Sequence, residues 1–212
     1  MPQPTSYPLA LAVESVCALG LDESYRERTA AMRRAFEGRT GAFGPDDPWF
    51  EARSRAFWDD ALTHQGFARL VMTDLPEVAR PWARAFDRSH RGLFYASQTM
   101  GRRLMRDLWS GAEFLVDEVD DATRTALDAA ACPFDGRLVA LADPVRVGLL
   151  PGAIFHPLDA AEPIEQVLVE AHKRKMATED VLDALLRMDL SLRSLSRVKP
   201  GYAYRPSALN GR

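Results

Sequence analysis

Four histidines, two cysteines and a run of carboxylates are the groups in this chain best suited to chemistry. His64, His90, His156 and His172 are scattered, with no i, i+4 pair or neighbouring ligand cluster, so the spacing predicts no metal site. Cys17 and Cys132 fall in different predicted elements, without the spacing of a redox pair. Cys132 with His156 or His90 would supply a thiolate and a base, as nucleophilic catalysis requires. The simpler reading is a small buried cysteine beside a turn proline. The chain has no Gly-x-Ser-x-Gly elbow, Walker loop or dinucleotide fingerprint. Glu113, Asp117, Glu118, Asp120 and Asp121 read as a solvated strand end, and Asp107 as an acceptor stabilising the turn at Ser110-Gly111. No catalytic residue, metal ligand or cofactor is therefore assigned.

The strongest charge feature is basic. Arg80, Arg84, Arg88, Arg91, Arg102, Arg103 and Arg106 are opposed between 80 and 106 only by Asp87, a local charge of +6, with Phe94 and Tyr95 among them. Such a surface could hold phosphates and stack a base of single-stranded nucleic acid. Against this, Arg80, Arg84 and Arg88 at four-residue spacing also describe the wet face of one helix. His172-Lys173-Arg174-Lys175 complements a helix C-terminus. In the tail, Tyr202 and Tyr204 alternate around Ala203, so an extended segment would place both on one face, able to add as a strand to a sheet edge of this chain or of a partner. Trp49, Phe50, Phe57 and Trp58 at helical spacing read as core more readily than as a docking surface.

The elements that must position these groups divide the chain into 1–90, helical; 91–157, a small antiparallel β-barrel-like sheet; 158–198, a C-terminal helical pair; and 199–212, an extended tail, all in one compact α+β unit with an N-terminal helical bundle. Helices are predicted from about Pro8 to Leu19 with Ser6 near its cap, from Asp22 or Ser24 to Gly38, and from Asp47-Pro48 onward, Asp47 offering an acceptor to the free amides. A short one over Phe67 to Met72 precedes another over Pro76 to Arg88, which Pro81 kinks or delays. The stretch from Leu93 to Pro157 breaks into short apolar runs. Arg103 to Trp109 and Ala112 to Val119 flank Ser110-Gly111 as a hairpin, and Arg137 to Leu141, Val145 to Leu149 and Ala153 to Phe155 follow around turns at Asp143-Pro144 and Pro151-Gly152. Asp121 to Ala131 reads as a connecting helix. Ile164, Val167, Leu168 and Ala171 mark a helix opened by Glu162-Pro163. Thr178 is placed as the cap of the last helix, whose wide leucine stripe must be covered on two sides.

Arg106-Asp107-Leu108, then Gly111, Phe114 and Val116, then Gly136-Arg137-Leu138-Val139 and Pro151 resemble the β segment of uncharacterised bacterial proteins that often carry a zinc-binding SEC-C tail. The resemblance spans residues 91–157, about a third of the chain. It implies a fold and no activity, because no Cys-x-Cys and His-Cys tail follows.

Composition bounds the rest. A hydrophobic share of 47% and a charged share of 27% over 212 residues describe an ordinary globular protein able to bury a sizeable core. A net charge of −3 gives no whole-protein attraction to nucleic acid. Only Lys173, Lys175 and Lys199 are lysines among 27 basic residues, the codon usage of a GC-rich genome before it is a binding property. With neither a secretory leader nor an apolar run of membrane-spanning length, the expectation is a cytoplasmic protein without a membrane partner. Missing catalytic constellations favour binding over enzymology. The reading is a non-enzymatic adaptor or regulatory protein with a protein partner, the alternative a nucleic-acid-binding module using the arginines between 80 and 106.

Overall fold

The computed structural model describes residues 8–99, 101–129, 131–142, 145–195 and 197–210. Five helices come first: α1 (Leu9–Gly20), α2 (Arg26–Thr40), α3 (Phe50–Leu62), α4 (Phe67–Leu70) and α5 (Arg80–Phe86). Asp22 accepts from the Ser24 amide at 2.9 Å and opens the single turn Glu23–Tyr25 that leads into α2. Gly38 does not end α2, which runs on to Thr40 and stops at Gly41. Asp47 caps no helix: its carboxylate takes the Gly44 amide at 2.7 Å and closes the preceding loop. Pro81 delays α5, whose first turn it occupies after a short turn at Glu77–Ala79. The proposed Ser6 cap and the Asp143-Pro144 turn lie outside the described residues.

The sheet follows as β1 (His90–Thr99), β2 (Arg102–Asp107), β3 (Glu113–Val116), β4 (Phe134–Ala142), β5 (Val145–Leu149) and β6 (Ile154–Phe155), with α6 (Asp121–Ala129) between β3 and β4. The strands are antiparallel in the order β3-β2-β1-β4-β5, and β6 pairs with the start of β4. The strand absent from the sequence reading is β1, the central one. The sheet is open rather than a closed barrel. β3 is only four residues long, and beyond it a single parallel bridge at Glu118 and Gly148, flanked by Asp117 N to Val147 O at 2.8 Å, joins the two edges at one corner. Gly111, at φ 73°, makes the β2–β3 turn as the hairpin spacing predicts.

After the sheet come α7 (Ala161–Lys173), α8 (Thr178–Ser194) and a one-turn α9 (Pro200–Ala203), then a turn at Pro206–Asn210. Thr178 is the first residue of α8 and its side chain makes no cap. The tail is helical turn rather than extended strand, so its tyrosines part: Tyr202 is 67% exposed and Tyr204 only 2%.

Strand alternation sorts the cores. Phe94, Met105, Val116, Phe134, Leu138 and Leu149 point to one face and pack with Leu127 of α6. On the opposite face, Leu93 joins the core of α7, α8 and the tail, while Val139 joins the core of the N-terminal helices together with Leu150, Ile154 and Leu186. Helices α1 to α5 therefore form no separate bundle, because their apolar faces are completed by the sheet and by α8. The wide stripe of α8 is covered on both sides, as its composition demands. Among the described residues no helix is long and apolar enough to cross a membrane.

Candidate functional site

The seven arginines do not form one surface. Arg91 is buried, its guanidinium held by Asp135 at 2.8 Å, Asp183 at 2.7 Å and Glu179 at 2.8 Å. Arg80 donates to the carbonyls of Leu75 and Thr73. Arg102 pairs with Asp117 at 2.5 Å and Arg103 with Asp128 at 2.6 Å. Arg84, Arg88 and Arg106 are exposed and make no ion pair among the described residues. Arg106 sits across the ladder from Tyr95, on the side of β1 and β2 that also presents Ser97 and Leu104. The second basic cluster serves its helix end: His172 Nδ1 lies 2.9 Å from the Leu168 carbonyl and Arg174 pairs with Glu170 at 2.8 Å.

The possible nucleophiles are occupied or silenced. Burial pushes the thiol of Cys17 up to about 12, with Asp59 and Glu14 adding to the effect, and burial also raises Cys132. His156 is buried and its Nδ1 lies 2.7 Å from the Tyr204 hydroxyl, which donates to Asp189 at 3.3 Å; Arg193 holds the other oxygen of Asp189 at 2.7 Å. Burial lowers the His156 pKa from its ordinary 6.5. Asp107 accepts from the Trp109 amide at 3.0 Å and the Ser110 hydroxyl at 2.5 Å, the turn-stabilising role its position predicts, and His90 adds a third contact at 3.1 Å. Trp49, Phe50, Phe57 and Trp58 belong to or pack on the N-terminal core. Among the described residues no group of three or more His, Cys, Asp or Glu side chains could hold a metal ion.

What sequence reasoning missed lies on the outer face of β1 and β4. Arg91 and Arg137 are direct cross-strand partners, an arrangement that repels unless acids intervene. They intervene from three directions. Asp135 comes from β4 itself, Asp183 from α8, and Asp60 from α3, reaching Arg137 at 2.6 Å. Arg39 of α2 closes the set onto Asp60 at 2.5 Å and Asp183 at 2.9 Å. Arg53, buried in α3, donates to the Thr40 carbonyl at 2.6 Å at the C-terminus of α2, where carbonyls lack helical partners. A buried array of this kind fixes how helices and sheet dock and offers no room for a substrate.

A concavity with an apolar lining and charged groups on its rim lies elsewhere. A cleft of about 580 Å3 opens between the start of α1, the segment joining β3 to α6, and the end of β5. Leu9, Val13, Val119, Leu149 and Pro151 line it with apolar surface, and five carboxylates and two arginines share the rim. Glu118 is engaged by the Leu9 amide at 2.8 Å and by Arg146 at 2.6 Å, Asp117 by Arg102, and Asp121 by Arg124 at 3.2 Å. Among the described residues, two rim carboxylates have no cation. Glu14 makes no contact with one, and Asp120 uses one oxygen to cap α6 through the Thr123 amide at 3.0 Å while its other, buried, oxygen has no partner. Pocket shape with a few convergent polar groups is the arrangement ligand sites share. No protein family, curated protein or solved structure matches the chain.

Proposed function

We propose that this is a non-enzymatic binding protein, an adaptor, that takes a short segment of a partner protein into the cleft beside α1. The observation that carries this reading is an apolar floor beside two carboxylates, Glu14 and Asp120, that meet no cation among the described residues. A segment pairing one ammonium or guanidinium with a neighbouring aliphatic side chain fits both features. The aliphatic group covers Leu9, Val13 and Leu149, and the cation completes the rim. The scarcity of free nucleophiles, and a charged core spent on holding elements together, support binding over catalysis.

The test is fluorescence anisotropy with a labelled peptide alternating leucine and lysine, against the same peptide with glutamate in place of lysine. The lysine peptide binds, more weakly as salt rises, and the glutamate peptide does not. Glu14→Gln with Asp120→Asn, the latter keeping a helix cap, lowers affinity about tenfold. Equal binding of the two peptides, or none, overturns the reading.

Single-stranded nucleic acid is the second reading, favoured by the juxtaposition of Tyr95 with the unpaired Arg106 on an exposed part of the sheet. It predicts salt-sensitive affinity for a short single-stranded RNA that drops in Tyr95→Ala and in Arg106→Ala. Arg91 has no part in it, since it never reaches the surface. Absence of binding at low salt removes this reading.

A further inference from the structure

Six carboxylates are buried among the described residues: Asp59, Asp60, Asp107, Asp135, Asp183 and Asp189. Four of them meet an arginine at 2.9 Å or closer, and Asp107 is satisfied by His90, Ser110 and a backbone amide. Asp59 is the exception. It is 2% exposed, its Oδ2 accepts only the Gly152 amide at 2.8 Å, and its Oδ1 has no partner. Burying an ionised carboxylate with a single neutral donor and no cation is among the costliest arrangements a fold can hold.

The surroundings do not rescue the charge. Arg137 of β4 faces Asp59 but spends its guanidinium on Asp60 at 2.6 Å, and Arg91 of β1 is committed to Asp135, Glu179 and Asp183. Asp135 from β4 and Asp120 from the β3–α6 segment add like charge. From α1 comes the Cys17 thiol, itself beside Glu14, and from α3 itself Arg55, whose guanidinium turns to Glu51. Asp59, Arg91, Asp135 and Arg137 line a cavity of about 10 Å3, at the lower limit for one water molecule. Gly152 lines the same cavity, and Pro151 before it lines the cleft. A Cβ on Gly152 would lie 2.6 Å from both the Arg55 carbonyl and Asp59 Oδ2, so only glycine lets this turn close on α3.

We propose that Asp59 is held as a neutral carboxylic acid and acts as a proton-operated clasp between α3 and the Pro151-Gly152 turn. In the neutral form one oxygen takes the Gly152 amide and the hydroxyl on the other needs only one acceptor, which a single water in the small cavity supplies. When the proton leaves to bulk solvent, the carboxylate must be hydrated. Water reaches it past the turn, because the far side is filled by the arginine-carboxylate array. The turn then loosens, and one wall of the cleft with it. Burial raises the Asp59 pKa to about 8, against the lowering effect of the Gly152 amide and Arg137, which sets the pH of release. The clasp does not depend on the cleft being a ligand site, since its effects are read at the turn.

The experiment is an NMR pH titration of the full chain following the Gly152 amide, with its hydrogen-exchange protection and an infrared search for a protonated carboxyl stretch. The Gly152 amide shifts with a midpoint near 8 and loses protection above it, and the carboxyl stretch disappears over the same range. Asp59→Asn abolishes all three changes. Asp120→Asn, a rim substitution that keeps the α6 cap, moves the midpoint down by removing a like charge, and decides the matter should the Asp59 variant fail to fold. A Gly152 amide that does not respond above neutral pH, a response that persists in Asp59→Asn, or a midpoint unmoved by Asp120→Asn overturns the proposal.

Discussion

Arg91 gathers Asp135, Asp183 and Glu179 on one guanidinium, so its removal strands the buried Asp135 and leaves the buried Asp183 to Arg39 alone. Breaking a buried ion pair from one side costs about 3–5 kcal/mol. Arg91→Met therefore lowers the urea midpoint by an amount corresponding to that range, with little change in slope. Glu179, half-buried on the array's edge, is the contrasting case: Glu179→Gln changes stability by less than about 1 kcal/mol. Two buried groups set opposite pH trends. The folded pKa of Asp59 lies above its unfolded value, so between about 4 and about 8 the folded state binds the extra proton and stability declines as pH rises. Asp59→Asn removes that decline from a melting-temperature profile. The folded pKa of His156 lies below 6.5, so below that pH the unfolded state binds the extra proton and stability falls as acid is added. His156→Gln flattens the acid side.

At the scale of elements, the tail behaves as a plug. Tyr204 enters between His156 and Asp189, and Ala203 and Leu209 join the core of α7 and α8. Truncation after Lys199 removes all three and lowers the melting temperature by several degrees, since about 1 kcal/mol corresponds to about 2–4 °C in a chain of this size. Tyr204→Phe, which removes only the hydroxyl between His156 and Asp189, accounts for about 1–2 kcal/mol of this, whereas Tyr202→Phe is silent. The helices α7 and α8 and the β2–β3 hairpin were legible in the sequence because periodicity and turn residues act locally. β1 was not, because its two faces meet different cores: Leu93 packs under α7 and α8, Phe94 packs inside the sheet, and Arg91 belongs to the ion array. That mixture leaves no alternation to read. The tail misread has a similar cause, since Tyr204 is ordered by partners from residues 156 and 189 and not by its neighbours. As for the sites, Asp59 and Asp60 drew no reading from the sequence, because the arginines that meet Asp60 come from α2 and β4. The available signal was charge within apolar runs: Asp135 and Arg137 in β4, and Asp183 and Asp189 among the leucines of α8. The cleft left its carboxylates visible, but their apolar floor is assembled from α1 and β5.

For the whole molecule, the three apolar cores share elements: α8 serves two of them, and β1 and β4 each serve two through opposite faces. Helical regions and sheet therefore unfold together, and calorimetric and van't Hoff enthalpies agree in a single transition. Separate transitions for the N-terminal helices and the sheet would show that the shared cores do not couple them. The ion array has a further consequence in time. Arg39 and Arg91 are satisfied by Asp183, which follows them in the chain by 144 and 92 residues. During synthesis from the N-terminus, both arginines emerge long before Asp183 does. A chain halted before α8 holds helices and strands whose docking surface carries unbalanced positive charge, with Asp60 and Asp135 alone facing Arg39, Arg91 and Arg137. Helix α8 thus decides when the protein's first helices can settle, and half-made chains are the form most in need of a chaperone.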